Sequence, residues 1–546
     1  MQLSDKRTAA TLAALIVIFF FINLFFLFQS ALLPGQDAPY YLRGLESIQS
    51  IGFLPGSLLE WPPVFFYASA VFAVFFGTVE GIKISAALFA ALLALSVFVL
   101  SKQLFKSNEA ALVAAFFVLL APVSMRLLNG FWKTSAALFF LPLFFYFFLR
   151  SREDKKNLLF AFLMLLLVFL SHKYVAMLAL LVLLVFVPFL LVFERKITSD
   201  AKNATMLFAV FVLVFCAVFF ASQNGFSELL SMFGLINSLE SSSSSSSLWQ
   251  YYGALVIPAF FGALYCFFNA KREHLFLLCW FLLGLFVAMP ASSGSNYWRF
   301  AFLLALPFSL LAGLFFVELK KELGALNSLF VFLVIAALVL PQFYNAAAQI
   351  VPIYNEKELV QIKQLSAFAG NALVLSKGPL LQWLQYYKVS AFDAEENFLL
   401  ATSQQWIEGR KAFVAFDKQR EMLDFSSEQS QLLGYFETAF AADRFFLLKP
   451  DLNFFAPGYV VPDFSKYSRE TRIGNLALWL FFPAEFFNLI GVQFASVLRA
   501  LVGLPLSFAL IAFVLLQLKK FDKKNNFRFA AFVFIAFLVF LVAIAK

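Results

Sequence analysis

Residues 9–32 contain no charged side chain. At the helical rise of about 1.5 Å per residue this run reaches roughly 36 Å, enough to cross the hydrocarbon of a bilayer. Further apolar segments recur near 84–101, 110–125, 134–149, 157–171, 174–193, 204–222, 252–269, 275–290, 300–317, 324–343, 497–518 and 529–545. The pattern predicts an all-α polytopic membrane protein with about 13 transmembrane helices. Residues 64–77 are too short to span with ease and follow Pro62 and Pro63, so they read as a helix lying on the outer membrane surface. Composition agrees: a chain of 546 residues with 62% hydrophobic side chains and 79 phenylalanines carries more apolar surface than a soluble core can hide. The first run exceeds the ~7–15 residues of a cleavable signal and reads as a signal anchor.

The net charge of +9 acquires meaning from its placement. With 64–77 kept outside, Lys6, Arg7, Lys102, Lys106, the 150–156 run, Arg195, Lys196, Lys271, Arg272, Lys320, Lys321 and the 519–528 run fall on one side. That is about 20 basic residues, against about 6 in the short loops opposite, and the positive-inside rule makes the richer side cytoplasmic. The N-terminus is then cytoplasmic in a cell (plasma) membrane, and no nucleic-acid partner is implied. Cys216, Cys266 and Cys279 sit inside apolar segments, without the spacing of a metal site or a disulfide pair.

Three regions follow. Residues 1–344 form a transmembrane domain whose first outer loop spans 33–83. Residues 345–475 alternate short apolar runs (372–375, 413–416, 445–448) with amphipathic stretches (356–368, 379–388), which predicts a small extracytoplasmic α/β domain inserted before the last two helices. Residues 476–546 hold an interfacial helix, interrupted by Pro483 and Glu485, and the C-terminal crossings. A seven-serine run, Ser241 to Ser247, marks a low-complexity outer loop at 223–250.

The crossings hold almost no ionisable group at mid-depth, where an ion or proton path would need one. Charges gather instead at the predicted outer ends. Asp37 comes just after the first helix, with Pro34, Gly35 and Pro39 breaking any continuous helix through it. Paired Tyr40 and Tyr41 suit an interfacial depth. Arg43, Glu46 and Glu60 share the same loop, and Arg126, Lys133, His172, Lys173, Arg299 and Arg499 stand at other outer helix ends. A single such charge usually only anchors a helix at the interface. Several cations around one acid form a different chemistry: they hold a lipid phosphate while the carboxylate takes a proton from a hydroxyl. His274, in the basic run 271–274, reads as a solvated flank.

The stretch GQDAPYYLRGLESIQSIGFLPGSLLEWPPVFFYASAVFAVFFG, with MRLLNGFWKT, SHKY and YWRFAFLLALPFSLLAG, resembles the GT-C superfamily of polytopic glycosyltransferases over roughly residues 1–345. That group includes protein O-mannosyltransferases, aminoarabinose transferases and the oligosaccharyltransferase catalytic subunit. The resemblance implies a sugar carried on a polyprenyl phosphate and passed to a protein, lipid or glycan acceptor of the cell envelope. It gives Asp37 the role of catalytic acid-base group or metal ligand, with magnesium or manganese as the divalent cofactor in the latter case. The basic residues at the outer helix ends, Arg126, Lys133, His172, Lys173, Arg299 and Arg499, are then the candidate lipid-phosphate or donor ligands, and Tyr40, Tyr41, Arg43, Glu46 and Glu60 the candidate loop or acceptor contacts. Two departures stand out. The second outer loop, Arg126 to Lys133, has no carboxylate, and the WWDYG signature of oligosaccharide transfer to asparagine is absent. A transporter or flippase for a lipid-linked or polymeric glycan, and a non-catalytic relative of the fold, are the competing readings.

Overall fold

The computed structural model describes residues 5–55, 61–194, 251–269, 271–288, 300–393, 411–419 and 436–450, with a few residues of 202–210. Glu60, Arg299, Arg499, Cys216, the serine run and the segments predicted at 476–496, 497–518 and 529–545 lie outside the described residues. The chain divides into two compact units.

The first unit takes residues 1–29 and 53–350. Its helices are α1 (Asp5–Leu27), α3 (Pro63–Phe76), α4 (Thr78–Phe105), α5 (Asn108–Leu120), α6 (Pro122–Leu128), α7 (Trp132–Arg150), α8 (Lys156–Ser171) and α9 (Lys173–Glu194). They continue with α10 (Val256–Phe268), α11 (Arg272–Val287) and α12 (Ala305–Ala347). Among the described residues five helices are long and apolar enough to cross a membrane, or six if α5 and α6, bent by 52°, count as one. The protein is a multi-pass membrane protein; the predicted total of about 13 crossings extends beyond the described residues.

Helix α12 shows why a helix count depends on backbone detail. Gly324 has φ 80° and ψ 169°, outside the helical region, and the chain reverses there. The Ser328 hydroxyl donates to the Phe316 carbonyl at 3.2 Å, and the Phe316 and Phe332 rings lie 5.5 Å apart. In an unbroken helix residues 316 and 332 would be roughly 24 Å apart. The two crossings predicted at 300–317 and 324–343 are therefore the two arms of this hairpin.

Helix α4 is the centre of the unit: its span is 72% buried, against 22% for α1. It packs on α1, α3, α5 and α7. Close approaches use glycine. A Cβ at Gly262 would fall 2.2 Å from the Leu311 carbonyl oxygen, and one at Gly313 would fall 2.5 Å from that of Ala110. Helices in lipid gain by such contact because hydrocarbon gives them no hydrophobic drive to associate. The bend between α5 and α6 falls at Pro122, which cannot donate to the preceding turn. His274 differs from its expected solvated setting: it is 4% exposed, with Nδ1 2.5 Å from the Asn269 carbonyl oxygen. The turn at Asn269 folds back over the ring and offers it a partner.

The second unit takes residues 30–52 together with the described parts of 351–489. It holds α2 (Ala38–Ile51), α13 (Glu356–Ala369), β1 (Leu373–Ser376), α14 (Gly378–Tyr386), β2 (Ser390–Asp393), β3 (Ala412–Asp417), β4 (Phe436–Ala441) and β5 (Phe445–Pro450). The sheet runs β2-β1-β3-β5-β4, with β1 parallel to β2 and β3, and β5 antiparallel to β3 and β4. Strand β3 is buried at every position, as a central strand must be. A capping box opens α13: Asn355 accepts from the Glu358 amide, and Glu358 accepts from the Asn355 amide.

One buried ionic cluster ties this unit together. Arg444 donates to both Asp417 oxygens at 2.7 and 2.8 Å and to Glu358 at 2.6 Å, while the Tyr354 hydroxyl donates to Asp417 at 3.0 Å. Burial works against the Arg444 charge, but its hydrogen bonds to the Asp417 and Glu358 carboxylates outweigh it and hold the guanidinium more firmly protonated than usual. The cluster joins the β4–β5 turn to the end of β3 and the start of α13.

Candidate functional site

Within the first unit the helix connections sort the charges by end. Helices α7 and α8 form an antiparallel pair joined at 151–155, with the Phe147 and Phe160 rings 5.3 Å apart near that turn. The α6–α7 turn and the α8–α9 turn therefore lie at the same, opposite end. Tyr251, just before α10, and Phe302, just before α12, join them there, since their rings are 5.7 Å apart and Phe302 is 4.9 Å from Phe131. This end carries Arg126, Lys133, His172 and Lys173. The other end carries the described basic residues among those predicted to be cytoplasmic, paired in part with acids: Lys102 with Asp5 at 3.2 Å and Lys320 with Glu109 at 2.7 Å.

Arg126 is the best-defined cation of the first group. It is half-buried on the short helix α6, with its guanidinium carbon 4.7 Å above the Tyr251 ring. Its Nε is enclosed and makes no hydrogen bond among the described residues. A ring face stabilises the cation without satisfying its N–H groups, which leaves donor capacity for an anion. Lys133 is half-buried at the second position of α7, across the turn from Arg126. Trp132 beside it is fully buried and donates Nε1–H to the Leu128 carbonyl at 2.7 Å, fixing that turn.

His172 and Lys173 share one aromatic seat. His172 ends α8 in extended conformation, and its ring is 5.6 Å from that of Tyr174. The Lys173 Nζ is 5.8 Å from the same ring. Arg126 on Tyr251 and the His172–Lys173 pair beside Tyr174 thus stand at one end of the bundle, each against an aromatic ring.

Asp37 belongs to the second unit. It stands at the head of α2 with φ −83° and ψ 8°, and its carbonyl accepts from the Tyr41 amide at 3.1 Å. Its carboxylate caps no backbone amide, which is unusual for an aspartate at this position and leaves the side chain available. Pro39 suits the first turn because its missing N–H needs no partner there. The helix begins directly after the acid, so the bent loop expected around Asp37 is confined to residues before it. Gly35, with φ 84°, makes that bend and donates its amide to the Val351 carbonyl at 3.3 Å.

The neighbouring loop residues divide by burial. Tyr41 is fully buried and Tyr40 half-buried, their rings 5.3 Å apart and edge-on. Arg43 is half-buried and Glu46 exposed, the latter accepting a hydrogen bond from Tyr386 at 2.7 Å. Among the described residues no three His, Cys, Asp or Glu side chains gather to hold a metal ion. The 126–133 segment carries no carboxylate, and Asp37 by itself is too few ligands for a divalent-metal site.

Tyr251, which seats Arg126, and Tyr386, which meets Glu46, were not among the residues the sequence singled out. Tyr251 had one sequence signal, a Tyr-Tyr pair at the head of an apolar segment. Nothing in the sequence joins Tyr386 to Glu46, which lie 340 positions apart.

The profile of the family described as dolichyl-phosphate-mannose-protein mannosyltransferase matches residues 60–220. No curated protein sequence matches the chain. Among solved structures, the Archaeoglobus fulgidus oligosaccharyltransferase, crystallised with zinc and sulfate, is similar at a TM-score of 0.57 and 16% identity, over 82% of this chain and 74% of that one. The mycobacterial arabinofuranosyltransferase AftD is similar at a TM-score of 0.50 and 12% identity, over 77% of this chain and 37% of the other. ArnT of Cupriavidus metallidurans, bound to undecaprenyl phosphate, gives a TM-score of 0.47 at 14% identity, over 82% and 98% of the two chains. The family profile and the archaeal and mycobacterial structures bear out the resemblance, and the chain carries the fold of the GT-C superfamily of polytopic membrane glycosyltransferases.

Proposed function

We propose that this protein transfers a sugar from a polyprenyl-phosphate carrier to an acceptor on the outer face of the membrane. The observation that carries the reading is Arg126: a half-buried guanidinium seated on Tyr251, with an enclosed donor unspent, at the bundle end where Lys133, His172 and Lys173 also stand. A phosphate arriving from the lipid phase is the ligand this chemistry suits, because charge-assisted hydrogen bonds are strongest where water is excluded. The matching family is described by a dolichyl-phosphate donor, and the archaeal relative of the same fold has been solved with dolichol-phosphate and an inhibitory peptide. Both support a lipid-phosphate donor here.

In the reaction, Asp37 accepts the proton of an acceptor hydroxyl as the oxygen forms its bond to the anomeric carbon. The bond from that carbon to the phosphate oxygen breaks, and the electron pair leaves with the lipid phosphate. The leaving group is a stabilised anion, so the cations need only offset the charge that develops on it. Arg299 and Arg499 complete the donor contacts in this reading, and the 345–475 domain contributes to acceptor binding. The division into a membrane domain (1–344), an outer α/β domain and a C-terminal membrane segment (476–546) belongs to the same proposal. Purified protein incubated with a panel of polyprenyl-phosphate sugars and acceptors should release lipid phosphate with at least one of them. Release from none, by protein shown to be folded, would remove the transferase reading.

A further inference from the structure

Helix α2 is fastened to the α/β unit at both ends. At its head the Gly35 amide donates to the Val351 carbonyl, and Gly35 pairs with Pro352 as a short parallel bridge. Along its length Ala38, Tyr41 and Leu45, at helical spacing, are buried. At its third turn Glu46 Oε1 accepts from the Tyr386 hydroxyl at 2.7 Å. Tyr386 is itself braced on α14, edge-on to Trp383 at 5.5 Å and 5.3 Å from the Tyr387 ring. Burial, reinforced by the Glu46 carboxylate, lifts the Tyr386 phenol above its ordinary range, so it stays protonated and donating wherever the protein works.

We propose that Tyr386 is a positioning residue: through Glu46 it sets the tilt of α2 and thereby the placement of the Asp37 carboxylate at its head. The proposal rests on the reading of Asp37 as the base and gives the α/β unit a second role, that of the platform holding it. A helix is stiff, and residues 37 and 46 are separated by roughly 14 Å of rise, so a contact at one end governs the other. Glu46 is exposed, and such a contact adds little to overall stability. Its effect falls on geometry, where misplacing a reacting group by ~1 Å costs about 10²-fold in rate.

The test uses the full chain in detergent or nanodiscs, with Tyr386→Phe, Glu46→Ala, their combination, and Glu46→Gln. Tyr386→Phe should lower kcat by about tenfold or more, leave the KM for donor unchanged, and speed amide exchange in α2 while α13 and β1 stay protected. The double variant should be no worse than the worse single one, as expected when both changes break one contact. Glu46→Gln, which still accepts the phenol hydrogen bond, should lose less than Glu46→Ala. Unchanged α2 exchange in Tyr386→Phe would overturn the proposal, as would faster exchange with full turnover. A wild-type protein inactive with every donor would overturn the transferase reading instead, and α2 exchange would still decide whether Tyr386 holds the helix.

Discussion

Asp37 and Arg126 put the same question in opposite charge: whether an ionisable residue at a helix end anchors the chain or does chemistry. An aspartate at a helix head ordinarily accepts from the amides behind it, and Asp37 does not. Asp37→Asn keeps the size and removes the basicity. If the carboxylate is the base, turnover per folded molecule should fall by at least about 10²-fold with donor affinity little changed. Equilibrium donor binding and single-turnover transfer, measured on one preparation, check this; full transfer by folded Asp37→Asn would end the mechanism. Arg126→Ala should act the other way, weakening donor binding by about tenfold or more with the fold intact, since a hydrogen bond to a charged group contributes about 1.5–3 kcal/mol. Unaltered donor affinity would make Arg126 an interfacial anchor. Both residues were legible in the sequence because charge is rare in such a chain. The seat under Arg126 was not, since Tyr251 comes from a helix distant in sequence.

At the scale of the element, the α12 hairpin shows a strength and a weakness of pattern reading. Two apolar segments separated by Lys320, Lys321 and Glu322 predict two crossings, and the reversal at Gly324 supplies them. Its φ and ψ fall where side chains other than hydrogen are strained, although a Cβ there would meet nothing within 4 Å. Gly324→Ala should therefore cost on the order of 1–3 kcal/mol through backbone strain alone, readable as a lowered unfolding midpoint in detergent. An unchanged midpoint would mean the turn relaxes freely. In the α/β unit, β1, β3 and β5 sit on the three apolar runs seen in the sequence. Strands β2 and β4 carry no such run: Ser-Ala-Phe-Asp and Phe-Glu-Thr-Ala-Phe-Ala are strands because they lie at the two sheet edges, where one side is open to other contacts. Helix α2 escaped notice for a similar reason, as Pro39 and Gly44 weaken its local helical signal.

For the whole molecule, orientation is the remaining quantity that charge pattern predicts. The structure groups Lys102, Lys320 and their neighbours at one end of the bundle, and Arg126, Lys133, His172 and Lys173 at the other. If the first group is cytoplasmic, as the positive-inside rule requires, residue 244 faces outward. A Ser244→Cys variant, in a background lacking Cys216, Cys266 and Cys279, should react with an impermeant thiol reagent on intact cells. Reaction only after permeabilisation would invert the protein and move the proposed chemistry to the other face.

Some of this the sequence determined alone. Charge-free apolar runs allow no environment but a bilayer, where helices satisfy their own backbone, so the membrane class and most described crossings follow from composition and spacing. The tertiary structure decided how the outer-loop residues are shared out. Residues 30–52 follow a membrane helix in the chain, yet they cluster with the α/β unit, because a glycine at positive φ opens the bend, α2 packs on α14, and Glu46 accepts from Tyr386 there. Periodicity records which residues are apolar and how often they recur. It does not record which distant surface an exposed turn of helix will meet, and that pairing of faces gives Asp37 its support.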